Sequence, residues 1–364
     1  MRDYNAPLTI ETITVEPPTG DMVRVKLVST GICPSDAHLF VGKTKLTSFG
    51  QKMPIILGHE GAGVVESVGE SVTAFKAGDH VLTNYVPECN DCKFCSSPLT
   101  NFCMKENFGT HAAIVNRKTA TGESEAIGGE FGLGTFSEYV LLKQCQVVKI
   151  DKRINLQTAA IITCGVVVGY TTIIDQLKVT PRSTVAVWGV NSFGIAALAA
   201  CKRAGATNIV AIDRDLKKKD LALQYGATEF LQLGHSESTG VVEHLLSKYG
   251  GAEYAIDITD SSEYHDMAIK GLAPYGAIAF AAMSPEGTTF TLSLMELFMG
   301  KKLIGGLWGN KRAVDAYDDL VEAYRSGRLD LEGMVTNRYK LEQINDAVQS
   351  VVEEKAVRSL VVFT

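Results

Sequence analysis

The stretch TVAVWGVNSFG, residues 184–194, decides the architecture of this chain. Thr184 to Trp188 is a short run without charge, the pattern of a strand buried on both faces. It breaks at Gly189, and Gly194 to Ala204 then repeats small and apolar residues at helical spacing until Gly205, a helix-closing residue. Asn208 to Ile212 is apolar again and runs into an acid, Asp213. Strand, helix and strand in this order form a βαβ unit, which requires a parallel sheet with crossover helices. Further β-like runs at Tyr254 to Ile258 and Ala277 to Ala282 alternate with helical stretches and extend that sheet, and Thr289 to Trp308 is apolar, edge-like sequence at its end.

Upstream of about residue 150 the rhythm differs. Short β-like runs at Val23 to Val28, Gly63 to Val68, His80 to Asn84 and Ser137 to Leu142 are broken by Gly and Pro, which predicts an irregular antiparallel region. In the tail, Tyr317, Leu320, Val321 and Tyr324 share one helical face, and Leu341, Ile344, Val348 and Val351 share another, before a last strand at Ser359 to Phe363. The 364 residues suggest about two domains at roughly 150 residues each. The class is α/β: a β-rich domain from residues 1–165 and 307–364 around a doubly wound parallel-sheet domain at 166–306.

Composition narrows the function. With 46% hydrophobic and 21% charged residues the chain reads as globular, and a net charge of −6 opposes a partner such as nucleic acid, whose binding depends on neutralising phosphates. Met1 to Pro18 shows no basic start followed by an apolar run and is read as a mature start. Leu156 to Ile174 is interrupted by Gln, Thr, Cys and Gly and reads as buried core, so no membrane span is expected. A cytoplasmic setting follows, in which eight cysteines are first read as metal ligands or buried thiols.

In a dinucleotide-binding βαβ unit one glycine makes the turn, a second lets backbone meet pyrophosphate, and a third packs helix on sheet. Here Gly189 and Gly194 keep the first and third roles, and Asn191 stands at the second. Such a gapped pattern alone serves a structural turn as readily; the strand before, the helix after and Asp213 argue for nucleotide. Asp213 would bond the adenosine ribose and repel a 2′-phosphate, favouring NAD over NADP, while the adjacent Arg214 tempers that preference.

Cys89, Cys92, Cys95 and Cys103 form a C-x2-C-x2-C-x7-C cluster in a loop poor in core hydrophobes. Four thiolates from one loop can close a tetrahedral shell, a structural zinc site with no position left for substrate. A disulfide pair is the alternative, and a nucleic-acid-reading finger is opposed by the scarcity of nearby bases, Lys93 and Lys105 alone. Cys145, in a β-like run, and Cys201, on the apolar helix, are read as structural, and His80, His111, His235, His244 and His265 match no ligand spacing.

A second constellation spans GICPSDAH, residues 31–38, GHEG, residues 58–61, and Cys164. Two Cys and one His leave a fourth position open, as a catalytic zinc needs, although spacing alone favours a buried thiol and a core histidine. With the G-I-C-x-S-D-x-H and G-H-E-G-A-G-V-V-x-x-V-G stretches and the cysteine loop, the chain resembles a zinc-dependent alcohol dehydrogenase of the medium-chain dehydrogenase/reductase family along its whole length. Residues 129–136 and the tail resemble the aryl (benzyl) alcohol branch.

That resemblance implies a GroES-like catalytic domain plus a Rossmann domain, with the active site in the cleft between them. It implies Cys33, His59 and Cys164 as catalytic zinc ligands, Glu60 as an acid able to approach the metal, and Asp36 as the group orienting His59. Ser35 and His38 resemble the proton relay, and Tyr85 sits where an aromatic wall of the substrate pocket is common, though a core tyrosine fits as well. Arg358 matches a pyrophosphate-binding arginine.

Three departures fall on the cofactor: Pro34 replaces a cationic contact, Phe193 a smaller residue behind the nicotinamide, and Val168 a usual Thr. The expectation is reversible NAD-linked oxidation of a primary, aromatic or allylic alcohol to its aldehyde, with two Zn2+ per chain in a homodimer or homotetramer. The altered glycine loop keeps two alternatives open: a non-redox zinc enzyme on this fold (elimination, cyclisation or isomerisation), and a catalytically silent, zinc-stabilised interaction protein.

Overall fold

The computed structural model describes residues 1–106, 115–118, 124–234, 238–284 and 287–363. His111 and His235 lie outside the described residues. The chain divides into two compact units, Met1–Cys164 with Arg312–Thr364, and Gly165–Lys311.

The first unit is built on a seven-stranded sheet. Its long strand Met22–Ile32 alternates buried and less buried positions as far as Val28 and then turns fully buried, and it pairs antiparallel with Gly61–Val68, Tyr139–Lys143 and Ser359–Val362. The strands His80–Thr83 and Val147–Lys149 continue the antiparallel ladder, and Asn337–Tyr339 closes the other side in parallel. Strand shifts at Arg24/Val25 and Leu27/Ser29 mark bulges that bend the long strand. The helix Ala313–Arg325 buries Tyr317, Leu320 and Val321, the face its spacing predicted. Ile344 and Val348 of the helix Ile344–Val352 pack on the core that holds Ile32, Leu39 and Leu57.

The second unit is a six-stranded sheet in the order Glu229–Gln232, Asn208–Asp213, Thr184–Trp188, Ala252–Asp257, Leu272–Phe280, Lys302–Gly305, parallel throughout. All five residues of the central strand Thr184–Trp188 are buried. The crossover helix begins at Ser192, earlier than its apolar run suggests, because Asn191 caps it. It ends at Gly205, whose φ of 80° suits glycine. Two expectations change. Cys145 lies in a short 3-10 turn, Gln144–Gln146, rather than a strand. Within Thr289 to Trp308 only Lys302–Gly305 is strand, because Ser293 caps a short helix, Leu294–Phe298, by accepting from the Met295 N–H. Leu156 to Ile173 is buried apart from Gln157, and among the described residues no single helix is long and apolar enough to cross a membrane.

Candidate active site

Cys33 leaves the strand Met22–Ile32 and precedes the short helix Pro34–Phe40, with Pro34 at the first helical position, where no N–H is needed. The Asp36 carboxylate accepts from the Cys33 N–H at 2.7 Å and fixes that corner. His59 and Glu60 come from the loop before the strand Gly61–Val68, and Cys164 follows the 3-10 turn Ala160–Thr163. Ligand atoms of Cys33, His59, Glu60 and Cys164 lie within 4.8 Å of one another, and all four side chains are buried.

The Cys33 and Cys164 sulfurs are 3.8 Å apart. A disulfide would bring them to about 2.05 Å, whereas the edge of a tetrahedron with metal–sulfur bonds of about 2.3 Å is roughly 3.8 Å. The spacing therefore fits a metal. Burial pushes both thiols up, but hydrogen bonds with Cys164 and His59 hold Cys33 well below the usual thiol value, while Cys164 stays well above it. The His59 ring, although disfavoured as a cation by burial, is held well above the usual imidazole value by the Asp36 charge. Binding a metal here displaces protons, because the donors must be thiolates and neutral imidazole.

Around His59 the site is partly aromatic. The Tyr85 ring lies edge-on to it with centroids 5.1 Å apart, and the Tyr85 hydroxyl is 3.2 Å from the Cys164 sulfur. The Phe131 ring is 5.2 Å from His59 and 5.1 Å from Phe49. Phe131 is buried with a φ of 49°, a conformation that costs a bulky residue on the order of 1–3 kcal/mol and gathers at functional sites. Sequence reasoning assigned no role to Phe131 or to its neighbour Glu130. The Glu130 carboxyl is fully buried, takes the Gly58 N–H at 2.7 Å and lies 3.4 Å from His59 Nδ1, as does Asp36. Burial and then the Asp36 charge push Glu130 up to about 8.

Glu60 pairs with Arg358, and both are buried. Arg358, expected to contact cofactor pyrophosphate, is thus engaged by the acid that follows His59. Gly31 makes this possible: a Cβ there would run into the Glu60 carboxylate. Ser35 and His38 stand three residues apart on the helix Pro34–Phe40, both half-buried, spacing that puts them on one face.

Cys89, Cys92, Cys95 and Cys103 bring their sulfurs within 4.8 Å of one another, with 3.9 Å between Cys89 and Cys95 and between Cys92 and Cys103. These are again tetrahedral edges rather than bonds. Backbone N–H groups of Cys95, Lys105 and Glu106 donate to Cys92 and Cys103 at 3.2–3.5 Å. Backbone donors from Cys95 and Met104 pull Cys92 down to about 6, whereas hydrogen bonding to Asp91 pushes Cys89 up to about 12. Glu88, just before the loop, accepts from the Arg312 side chain at 2.6 Å and from the Ala313 N–H at 3.1 Å, which moors the loop to the helix Ala313–Arg325.

In the second unit, Gly189 has a φ of 97° and turns the chain at the end of its strand. A Cβ at Gly194 would collide with the Gly189 carbonyl oxygen, so helix and strand meet this closely only because Gly194 has no side chain. Asn191 does more than add bulk: its side-chain oxygen accepts from the Phe193 and Gly194 N–H groups at 3.0 and 3.3 Å. These are the donors a phosphate would use at a helix start. Phe193 is half-buried, and Val168 is buried in the helix Gly165–Thr171. Asp213 ends its strand, accepts from the Val190 N–H at 2.7 Å and pairs with Lys218 at 3.1 Å. Lys218 was not singled out from sequence, where one of three consecutive lysines carries no distinguishing signal. The Arg214 guanidinium lies 5.4 Å from the Tyr264 ring centroid. His265 is held by Asp257 at 2.7 Å, and His244 by Glu229 at 3.0 Å, as structural histidines.

Two family models match the chain: the alcohol dehydrogenase GroES-like domain over residues 19–152, and the zinc-binding dehydrogenase domain over 193–324. The chain is 36% identical to geraniol dehydrogenase of Carpoglyphus lactis, with 100% of this chain and 96% of that protein covered. It is also 36% identical to the alcohol dehydrogenase class-2 isozyme 2 of Oryctolagus cuniculus, covering 98% and 95%. Among solved structures, benzyl alcohol dehydrogenase from Acinetobacter calcoaceticus superposes with a TM-score of 0.88 at 26% identity, covering 100% and 98%. Donor set, fold and relatives agree, and the chain belongs to the zinc-dependent alcohol dehydrogenases of the medium-chain dehydrogenase/reductase family.

Proposed function

We propose that this alcohol dehydrogenase oxidises primary aromatic or allylic alcohols reversibly to aldehydes with NAD, using one zinc held by Cys33, His59 and Cys164 and a second, structural zinc held by Cys89, Cys92, Cys95 and Cys103. The observation that carries the reading is the three-donor cluster walled by the rings of Tyr85 and Phe131. When bound, zinc supplies Lewis acidity toward an alcohol oxygen and NAD accepts hydride. The Ser35 hydroxyl takes the alcohol proton, and the His38 imidazole, one helical turn on, carries it outward. Asp36 keeps His59 in the tautomer that presents Nε2 to the metal side. Tyr85 and Phe131 exclude water and stack on a flat, unsaturated substrate. Geraniol is itself an allylic alcohol and benzyl alcohol an aromatic one, so the substrates named for two relatives point the same way.

The Asp213 carboxylate and the Lys218 ammonium are set to bond ribose hydroxyls, and a 2′-phosphate would meet the negative charge of Asp213, which supports NAD over NADP. The expected setting is cytoplasmic, consistent with eight cysteines that form no disulfide among the described residues. The expected assembly is a homodimer or homotetramer.

The test is steady-state oxidation of benzyl alcohol, geraniol and ethanol with NAD or NADP, beside fluorescence titration of NADH and NADPH. Benzyl alcohol and geraniol should exceed ethanol in kcat/KM by at least about tenfold, the discrimination an apolar pocket supplies. Preference for ethanol, or for NADP, would overturn the corresponding half of the reading.

A further inference from the structure

We propose that Glu130 is a positioning residue for the His59 imidazole, clamping both the peptide before it and the ring nitrogen turned away from the cysteine sulfurs. The inference rests on the reading of Cys33, His59 and Cys164 as one metal site. Glu130 comes from the turn after the strand Ser124–Gly129, 72 residues from Gly58, yet its two carboxyl oxygens serve adjacent residues of one loop. Oε2 accepts from the Gly58 N–H at 2.7 Å, and Oε1 stands 3.4 Å from His59 Nδ1. Asp36 reaches the same nitrogen at 3.4 Å from the helix Pro34–Phe40 while its other oxygen holds the Cys33 N–H. Nδ1 is therefore flanked by two fully buried carboxyl groups from different elements, which leaves Nε2 as the nitrogen available to Cys33 and Cys164.

The division of labour differs between the two acids. Asp36 ties His59 to the Cys33 corner, so the two ligands it links move together. Glu130 ties His59 to its own backbone at Gly58 and to the turn that carries Phe131, whose ring packs 5.2 Å from the imidazole. Side chains beyond the ligands that orient a metal-bound histidine alter metal affinity by about 10–100-fold when removed. Glu130 meets that description by geometry: it has no exposed surface, and among the described residues its carboxyl meets only Gly58, His59 and Asp36.

The test compares Glu130→Gln, which keeps an oxygen for the Gly58 N–H, with Glu130→Ala, which keeps none. Full-length protein is loaded with zinc and challenged with a chelator, and the cobalt-substituted forms are compared by visible spectroscopy. Glu130→Ala is expected to lose one metal equivalent per chain about 10–100-fold more readily than wild type, with an altered cobalt spectrum and the four-cysteine metal retained. Glu130→Gln should stay within about threefold of wild type, because the backbone clamp survives. Should Glu130→Ala fail to fold, Glu130→Asp replaces it, since a side chain one methylene shorter cannot span from Gly58 to Nδ1. Equal metal retention in all variants, or loss of both metals together, would overturn the proposal. A wild-type chain holding only the four-cysteine metal would overturn the catalytic-zinc reading instead.

Discussion

The Glu60 carboxylate and the Arg358 guanidinium form an ion pair in which neither side chain exposes more than 1% of its surface. Two residues 298 positions apart, one read as a metal-side acid and the other as a cofactor contact, thus form one unit beside His59. Removing one partner of a buried pair strands the other charge, at a cost of about 3–5 kcal/mol. Arg358→Met should therefore lower the unfolding free energy of cofactor-free, zinc-loaded protein by about that amount. The double variant Glu60→Gln, Arg358→Met should recover most of the loss. Denaturant unfolding of these three proteins together with Glu60→Gln gives the coupling directly. An unchanged midpoint in Arg358→Met, with only NADH affinity reduced, would return Arg358 to a purely cofactor-facing role.

The Tyr85 hydroxyl offers a second, gentler handle on the same site. It lies 3.2 Å from Cys164 Sγ, and a hydrogen bond to a thiolate draws charge from it. Tyr85→Phe keeps the ring edge-on to His59 but removes that bond. The sulfur-to-metal charge-transfer band of cobalt-substituted protein should shift, and kcat for benzyl alcohol should fall about three- to tenfold, equivalent to about 0.5–1.5 kcal/mol. An unshifted band with unchanged kcat would reduce Tyr85 to a pocket wall.

Elemental analysis should find about two zinc per chain, one for each tetrahedral set of donors. Cys92→Ser, altering a thiol that backbone donors already pull down to about 6, should lower the count to about one and reduce thermal stability and solubility. Its effect on the remaining metal should be small, because no Cys33, His59 or Cys164 atom belongs to that cluster. A full count of two with an unchanged melting temperature would remove the structural assignment.

The parallel sheet was legible because a strand buried on both faces carries no charge, and Thr184 to Trp188 is such a run, too short for a helix and ended by Gly189. The place of Asp213 at the end of the next strand was legible as well, but not its pairing with Lys218. The cysteine loop announced itself by local spacing. What stayed hidden was long-range. Glu130 reaches Gly58 across 72 residues, and nothing in GGEFGLG signals that its acid turns inward. The Glu60–Arg358 pair and the cap made by Asn191 depend on where side chains end, which periodicity does not report. Ser293 likewise diverted part of an apolar stretch into a helix where edge strand was expected.

That same stretch bears on assembly. Lys302–Gly305 ends the six-stranded sheet and pairs only with Leu272–Phe280 among the described strands. Just before it Leu294 and Phe298 are more than 80% exposed, and Met295 and Met299 more than half. An exposed apolar helix just before an unpaired edge strand in the chain favours a two-fold partner. Light scattering at micromolar concentration should give at least twice the 39.2 kDa chain mass. Phe298→Glu with Leu294→Glu should shift the population toward monomer. A monomeric wild type would count against the interface.

The start of the helix Ser192–Ala204 bears most directly on cofactor affinity. An anion there would be received by free backbone N–H groups, but Asn191 Oδ1 already accepts from those of Phe193 and Gly194. A pyrophosphate would have to displace that side chain, and surrendering the cap, one oxygen shared between two donors, costs on the order of 1 kcal/mol. Asn191→Gly removes the competitor, and glycine in place of an asparagine cap costs a helix only a few tenths of a kcal/mol, so the fold should tolerate it. NADH affinity should rise about five- to tenfold, as about 1–1.4 kcal/mol requires. Adding Pro34→Arg and Phe193→Val should bring the total to at least about tenfold if the three departures act together. Fluorescence titration of NADH against wild type, single and triple variants separates the contributions. Tight binding by wild type that none of the changes improves would mean the Asn191 cap opens at negligible cost, and the helix start would then receive phosphate as well as a glycine-rich one does.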